Sequence, residues 1–161
     1  MTLLTAWVQH TNGGDCRGFE MVDDRPYERR LPASPQSLAQ FRQSLRGWVA
    51  TAVEQPDRAT DIVLAASELA AATIRSAPGP SAQVVLRAWV DGSAVVIESA
   101  TDAKSHPGDG AAPPSFDGTE GERGFSVVAA LAETFAVTSR PEGVVVRARL
   151  PRGRFDGARS G

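Results

Sequence analysis

The chain has 161 residues with 17 basic and 19 acidic side chains, a net charge of −2, which gives no broad electrostatic pull towards nucleic acid. No stretch approaches the roughly 20 consecutive apolar residues that a membrane span needs, and the N-terminus MTLLTAWVQHTNGG lacks the basic start and apolar run of a signal peptide. Cys16 is the sole cysteine and the two histidines, His10 and His106, lie far apart, so an internal disulfide and a metal site built on protein nitrogen or sulfur are both excluded as expectations. One soluble cytoplasmic domain is expected. Lysine appears once, at Lys104, beside abundant Ala, Val, Arg and Gly, a bias typical of high-GC bacterial coding sequence.

Residues 2–10 and 16–22 alternate weakly around Asn12-Gly13-Gly14-Asp15 and read as a β-hairpin within an N-terminal extension over 1–26. Tyr27 to Leu31 is a short strand. Ser34-Pro35 then supplies an N-cap and a proline at the first helical position, where its missing N–H costs nothing. Leu38, Phe41, Leu45, Trp48, Val49 and Ala52 follow at helical spacing, which predicts a first helix over 35–53.

After Gln55-Pro56-Asp57 the periodicity resumes over 57–76, where Ile62, Ala65, Ala66, Leu69, Ala72 and Thr73 form one buried stripe. Glu68 lies one position from that stripe among small residues. It is either a carboxylate at the rim of a cleft or a solvated helix residue. Two helices joined by so short a break tend to pack against each other.

Residues 82–90 and 93–98 alternate as strands around Asp91-Gly92, a strong hairpin signal. From Ser99 to Thr119 the composition turns to Gly, Pro, Ala, Ser and Asp, a loop long enough to be functional or disordered. Gly121-Glu122-Arg123-Gly124 then opens a third helix carrying Phe125, Val128, Leu131 and Ala132 on one face. Two strands, 135–140 and 144–150, close the fold around Pro141-Glu142-Gly143, and 152–161 reads as a disordered tail. Strands grouped apart from helices imply an α+β fold: a mixed, mostly antiparallel sheet with three helices packed on one face.

This order, with Ser67-Glu68-Leu69 on the second helix, residues 97–102 ending a hairpin strand, and Gly121-Glu122-Arg123-Gly124-Phe125 beyond a long loop, resembles the GHKL ATPase fold of gyrase, heat-shock chaperones and histidine kinases. More closely it resembles the bacterial anti-sigma factor kinases that phosphorylate a serine on an anti-anti-sigma partner. The resemblance covers about 27–151, with 99–119 as a lid loop. It implies that Glu68 is the general base, that an asparagine four residues later holds magnesium, and that an aspartate at the end of the hairpin strand binds adenine. Here the asparagine position is Ala72, followed by Thr73. The aspartate position counts to Thr101, with Asp102 one residue late. Gly121 and Gly124 would admit a phosphate at a helix N-terminus with Arg123 adding charge; the bland alternatives are an ordinary loop-to-helix cap and a surface arginine.

Alanine offers magnesium no oxygen, and Thr73 lies about 100° further round the helix. The resemblance therefore implies a degenerate member, a pseudo-kinase that binds ATP weakly or not at all, leaves magnesium doubtful, and works by binding a sigma factor or an anti-anti-sigma protein. An active ATP-dependent serine kinase with Glu68 as base is the alternative, and an interaction module whose loop orders on binding is a third. Nucleic acid and membrane are not expected partners. The family admits a homodimer, and the N-terminal extension would extend the sheet, cap the pocket or form a dimer contact.

Overall fold

A computed structural model describes residues 25–79, 81–102, 119–140 and 143–153, with only the backbone described at 102 and 119–122. The expected N-terminal hairpin, the body of the 99–119 loop and the tail beyond Gly153 lie outside the described residues. Five strands and three helices appear in the order β1 (Tyr27–Pro32), α1 (Pro35–Ala52), α2 (Pro56–Arg75), β2 (Gln83–Asp91), β3 (Ala94–Asp102), α3 (Thr119–Leu131), β4 (Thr134–Arg140) and β5 (Gly143–Pro151). The strands form one sheet in the order β1-β2-β3-β5-β4, with every neighbouring pair antiparallel. The α+β class and the single helical layer follow the sequence expectation.

Both long helices begin as the prolines dictate. Pro35 and Pro56 each occupy the first turn, behind extended residues Ser34 and Gln55, so fixed φ and the absent N–H cost nothing there. The Ser37 hydroxyl donates to the Pro32 carbonyl at 2.6 Å and ties the start of α1 to the end of β1.

Helix α2 occupies the middle of the helical layer, in contact with α1, α3, β2, β3 and β5. All six residues of its predicted stripe are buried: Ile62, Ala65, Ala66, Leu69, Ala72 and Thr73. Four of these are alanine or threonine, and short side chains let a central helix lie close to the sheet. Against them stand Val84, Leu86 and Ala88 of β2, Val95 and Ile97 of β3, and Val146, Ala148 and Leu150 of β5. Each fully buried Leu or Ile contributes about 1.5–3 kcal/mol relative to exposure.

Three boundaries differ from the sequence reading. Strand β3 does not stop at Glu98 but continues to Asp102, because residues 99–102 pair with Leu86 to Gln83 and outweigh their loop-like composition. The hairpin loop is Gly92-Ser93 rather than Asp91-Gly92, since Asp91 pairs with Ala94; Gly92 takes φ 58 at the first loop position, which glycine adopts without strain. Helix α3 begins at Thr119, two residues before the glycine that was expected to open it.

On the opposite face of the sheet, Glu28, Arg87, Glu98 and Arg147 stand side by side across four strands. Arg87 donates to Glu28 at 2.8 Å and to Glu98 at 3.2 Å, and Arg147 also donates to Glu98. The Arg87 hydrogen bond holds the Glu28 carboxyl below its ordinary range. Arg147 also lies over the Trp89 ring, 5.7 Å from its centroid, a cation–π distance.

Edge strand β1 is fastened to α1 by its one large side chain. Tyr27 is buried, its hydroxyl bonds Ser44 at 2.6 Å, and its ring meets Trp48 at 6.3 Å. Trp48, expected in the core, is half-buried, and its indole N–H donates to the Arg25 carbonyl at 2.7 Å. Burial pushes the Tyr27 phenol above 10.0, against the smaller opposing effects of Ser44 and Arg29. A raised phenol in the folded state leaves stability intact below pH 10.0 and removes it as pH rises through the folded value. Tyr27 is the sole tyrosine, so phenolate absorbance should titrate above pH 10.0 in the folded protein, and Tyr27→Phe should flatten the alkaline fall in urea stability.

Candidate functional site

The candidate site lies where α2, α3 and the end of β3 converge. Glu68 stands on α2, half-buried, one position outside the fully buried stripe. Its carboxylate faces α3: a Cβ built on Gly124 would sit 2.6 Å from Glu68 Oε2. Gly124 is itself buried. Any side chain there would displace the carboxylate, so this glycine serves the approach of two helices rather than a turn. Because α3 starts at Thr119, Gly124 lies more than one turn inside the helix and does not form its N-terminus. The helix therefore starts ahead of the Gly-x-x-Gly rather than at it. Gly121 falls in the first turn, and Arg123 is exposed.

One turn along α2 from Glu68, Ala72 is buried and presents a methyl group where an oxygen ligand was expected. Thr73 is fully buried, and its hydroxyl donates to the Leu69 carbonyl at 2.7 Å, back into its own helix. It provides no substitute ligand. The next hydroxyl, Ser76, likewise donates to the Ala72 carbonyl at 2.8 Å. Among the described residues, no group of three or more His, Cys, Asp or Glu side chains could hold a metal ion.

At the end of β3 the ladder runs without a bulge through Thr101↔Val84 and Asp102↔Gln83. Counting along the strand is therefore unbroken, and Thr101 keeps the helix-facing position that alternation gives it. Its hydroxyl is engaged: the Val144 backbone N–H donates to Thr101 Oγ1 at 2.8 Å, and the residue is buried. Gly143, at φ 139, lies directly against it, so that a Cβ at 143 would overlap Thr101 Oγ1. The position of the expected adenine-binding aspartate is thus a joint between β3 and β5. The side chain of Asp102 lies outside the described residues.

Two polar features escape a reading of the sequence. Ser99, two residues before Thr101 on the same face, is fully buried, and its hydroxyl has no hydrogen-bond partner among the described residues. Such a group costs about 1–3 kcal/mol, and it leaves one unused donor beside Thr101. The sequence neighbourhood of Ser99 reads as loop, and only the pairing with Leu86 places it in a strand. Ser67, adjacent to Glu68, is also buried; it donates to Val63 O at 2.7 Å and accepts from Arg42 Nε at 3.1 Å, joining α2 to α1.

The arrangement therefore brings Glu68 and Gly124 into contact and places Thr101 at the strand end, while Ala72 removes the oxygen one turn from Glu68. Residues 31–150 match the family model of the histidine kinase-like ATPase domain. Comparison with curated proteins finds no match. Among solved structures, the blue-light activated histidine kinase of Erythrobacter litoralis EL346 is similar, at 22% identity and TM-score 0.50 over 76% of this chain and 42% of that one. The histidine kinase domain of the same protein gives 16% identity and TM-score 0.47 over 76% and 62%. The chain spans less than two thirds of the length of either structure.

Replacing Gly124 tests the Glu68 contact directly. Gly124→Ala should leave folding stability within about 1 kcal/mol, because alanine favours a helix interior by that amount and the displaced atom is the end of a flexible side chain. The carboxyl carbon resonance of Glu68 should nevertheless shift. An unchanged resonance would mean that the carboxylate does not rest against α3.

Proposed function

The chain belongs to the histidine kinase-like ATPase domain family, and we propose that within it this protein is a regulatory binder of the anti-sigma type. Its nucleotide binding is weakened or lost, and it acts by protein–protein contact with a sigma factor or an anti-anti-sigma protein. A cytoplasmic location and a homodimeric state belong to the same reading.

The observation that carries the proposal is Ala72. Magnesium requires oxygen ligands and is held in near-octahedral geometry, and phosphoryl transfer relies on it to neutralise charge developing on the phosphates. The turn of α2 that carries Glu68 offers one carboxylate and then a buried methyl at Ala72. Of the neighbouring hydroxyls, Thr73 is fully buried within the layer and Ser76 is turned back to the Ala72 carbonyl of α2 itself. The residues described here do not fit a magnesium-bridged nucleotide.

The opposite end of the site supports the same reading. Thr101 is shorter than an aspartate and carries no charge, and its oxygen already accepts from Val144 N–H. A hydroxyl so engaged is a weaker acceptor for an exocyclic amine than a free carboxylate. The scaffold around these positions is intact: α2 keeps its buried stripe and the sheet its unbroken ladder. A retained framework with its ligand atoms replaced favours a surface that other proteins recognise.

The geometry of Glu68 favours the second reading in one respect, because its carboxylate faces α3 rather than open solvent. In an active serine kinase it would accept the proton of the attacking hydroxyl. Calorimetric titration with ATP and ADP, with and without magnesium, separates the two. Silence up to millimolar nucleotide is expected for the native protein, with magnesium-dependent binding appearing in Ala72→Asn. Micromolar, magnesium-dependent binding by the native protein would sink the proposal and support the kinase reading, as would transfer of labelled phosphate that Glu68→Ala abolishes. In a thermal or urea assay, a nucleotide at 100 times its dissociation constant should add about 2.7 kcal/mol if it binds.

A further inference from the structure

The two edges of the sheet are built differently. Edge strand β1 carries Glu28, Arg29, Arg30 and Pro32, and charged side chains and proline are what keep an edge from pairing with another chain. Edge strand β4 has no such protection from Thr134 to Ser139; its single charge, Arg140, stands at its end. Among the described residues β4 pairs with β5 alone, so every second residue turns its N–H and C=O away from the sheet. All of its side chains except Phe135 are exposed.

The helical layer stops short of this edge. Val137 pairs with the fully buried Val146 and so belongs to the helix face, yet it is 38% exposed, one of two large hydrophobic side chains exposed among the described residues. Helix α3 reaches β4 at Phe135, whose ring centroid lies 5.1 Å from that of Phe125, while Val137 and Ser139 stay open to solvent.

The strand is complementary to itself. Antiparallel pairing of two copies about Val137 sets Thr134 opposite Arg140, Phe135 opposite Ser139, Ala136 opposite Thr138, and Val137 opposite its own counterpart. No like charges meet in that register. The two valines come within the Cβ separation of about 4.5–5.5 Å at which β-branched pairs stabilise a sheet, and each Phe135 reaches the opposing valine on the diagonal. Arg140 has no carboxylate partner among the described residues. In this register it falls beside Glu133 of the second copy, a side chain 34% exposed next to Arg149.

We propose that β4 is the dimer surface of this protein: two copies join edge to edge, β4 against β4 in antiparallel register about Val137, into one continuous sheet with both helical layers on the same side. The contact consumes β4 in both copies. Among the described strands, the edges left over are the two β1 strands with their charges and Pro32, so assembly closes at two. A strand edge about 23 Å long lies at the small end of specific interfaces, and the dimer dissociates on dilution. The inference rests on the homodimeric state of the reading above and names its surface, and it requires neither nucleotide nor a sigma factor.

Sedimentation equilibrium of the full chain, without nucleotide or partner protein, tests it. The mass should rise from 17.0 kDa towards twice that value as concentration increases. Val137→Lys, which sets like charges directly opposite each other across the axis, should hold the mass at 17.0 kDa, whereas Leu64→Lys, at the other exposed apolar side chain, should leave association unchanged. In a Cys16→Ser background, Val137→Cys should give a disulfide-linked dimer on mild oxidation and Leu64→Cys should not; this crosslink decides the matter if Val137→Lys fails to fold. A native chain that stays at 17.0 kDa at millimolar concentration overturns both the β4 surface and the homodimeric state. A dimer that survives Val137→Lys, that Leu64→Lys abolishes, or that forms no crosslink through position 137 overturns the β4 surface and leaves the homodimer standing.

Discussion

The packing of α2's alanine-lined face on the middle of the sheet is the constraint on which the other features depend. Ala65, Ala66, Ala70 and Ala72 are buried on a helix that touches both other helices and three strands. A larger side chain at these buried points would have to displace a neighbouring element, and overpacking a filled core costs about 1–3 kcal/mol. The same closeness sets the site. With α2 low on the sheet, Glu68 is held at the edge of the buried stripe, where it meets α3 instead of extending into solvent. Gly124 is the matching concession on α3: the carboxylate occupies the volume that a Cβ would fill.

Much of this was legible in the sequence because it depends on period. The 3.6-residue recurrence from Ile62 to Thr73 identified the buried face of α2 residue by residue, and Pro35 and Pro56 marked both helix starts. What composition obscured was pairing. Ser99 to Asp102 look like the start of a loop, yet they are strand because β2 offers partners as far as Gln83. Pairing likewise moved the hairpin loop to Gly92-Ser93. Thr119 and Glu120 lack an apolar signal, so the sequence pattern of α3 begins only at the glycine that follows. The candidate site was legible as positions but not as contacts. Nothing local to Thr101 announces that Val144, 43 residues away, donates to its hydroxyl, and nothing near Gly124 announces Glu68.

The two faces of the sheet manage charge differently. On the open face, Glu98 is 8% exposed and accepts from arginines on both neighbouring strands. Because Glu98 accepts from two arginines, removing either one leaves its enclosed carboxylate paired with the other. The alternation of Glu28, Arg87, Glu98 and Arg147 also fixes register, because a one-residue slip would turn these side chains towards the core and valines outward. The ladder therefore specifies the pairing order while the apolar face supplies the stability. Among the described residues, Arg42 and Arg46 on α1 have no such carboxylate partner.

The way Thr101 is used bears on what a polar group at the end of β3 costs when no ligand is bound. In a pocket, a polar side chain at the end of β3 must be left unpaired until a ligand arrives, and an unpaired buried group costs about 1–3 kcal/mol. Thr101 avoids that cost by accepting from Val144 N–H, and Gly143 closes over it at a backbone angle suited to glycine. Ala72 avoids it by having no polar group, and Thr73 by donating to Leu69. Among the described residues, Ser99 still carries it. Thr101, Ala72 and Thr73 thus leave no unsatisfied polar group of their own when the domain is empty. On the regulatory reading proposed above, that is the state in which its surface would be recognised.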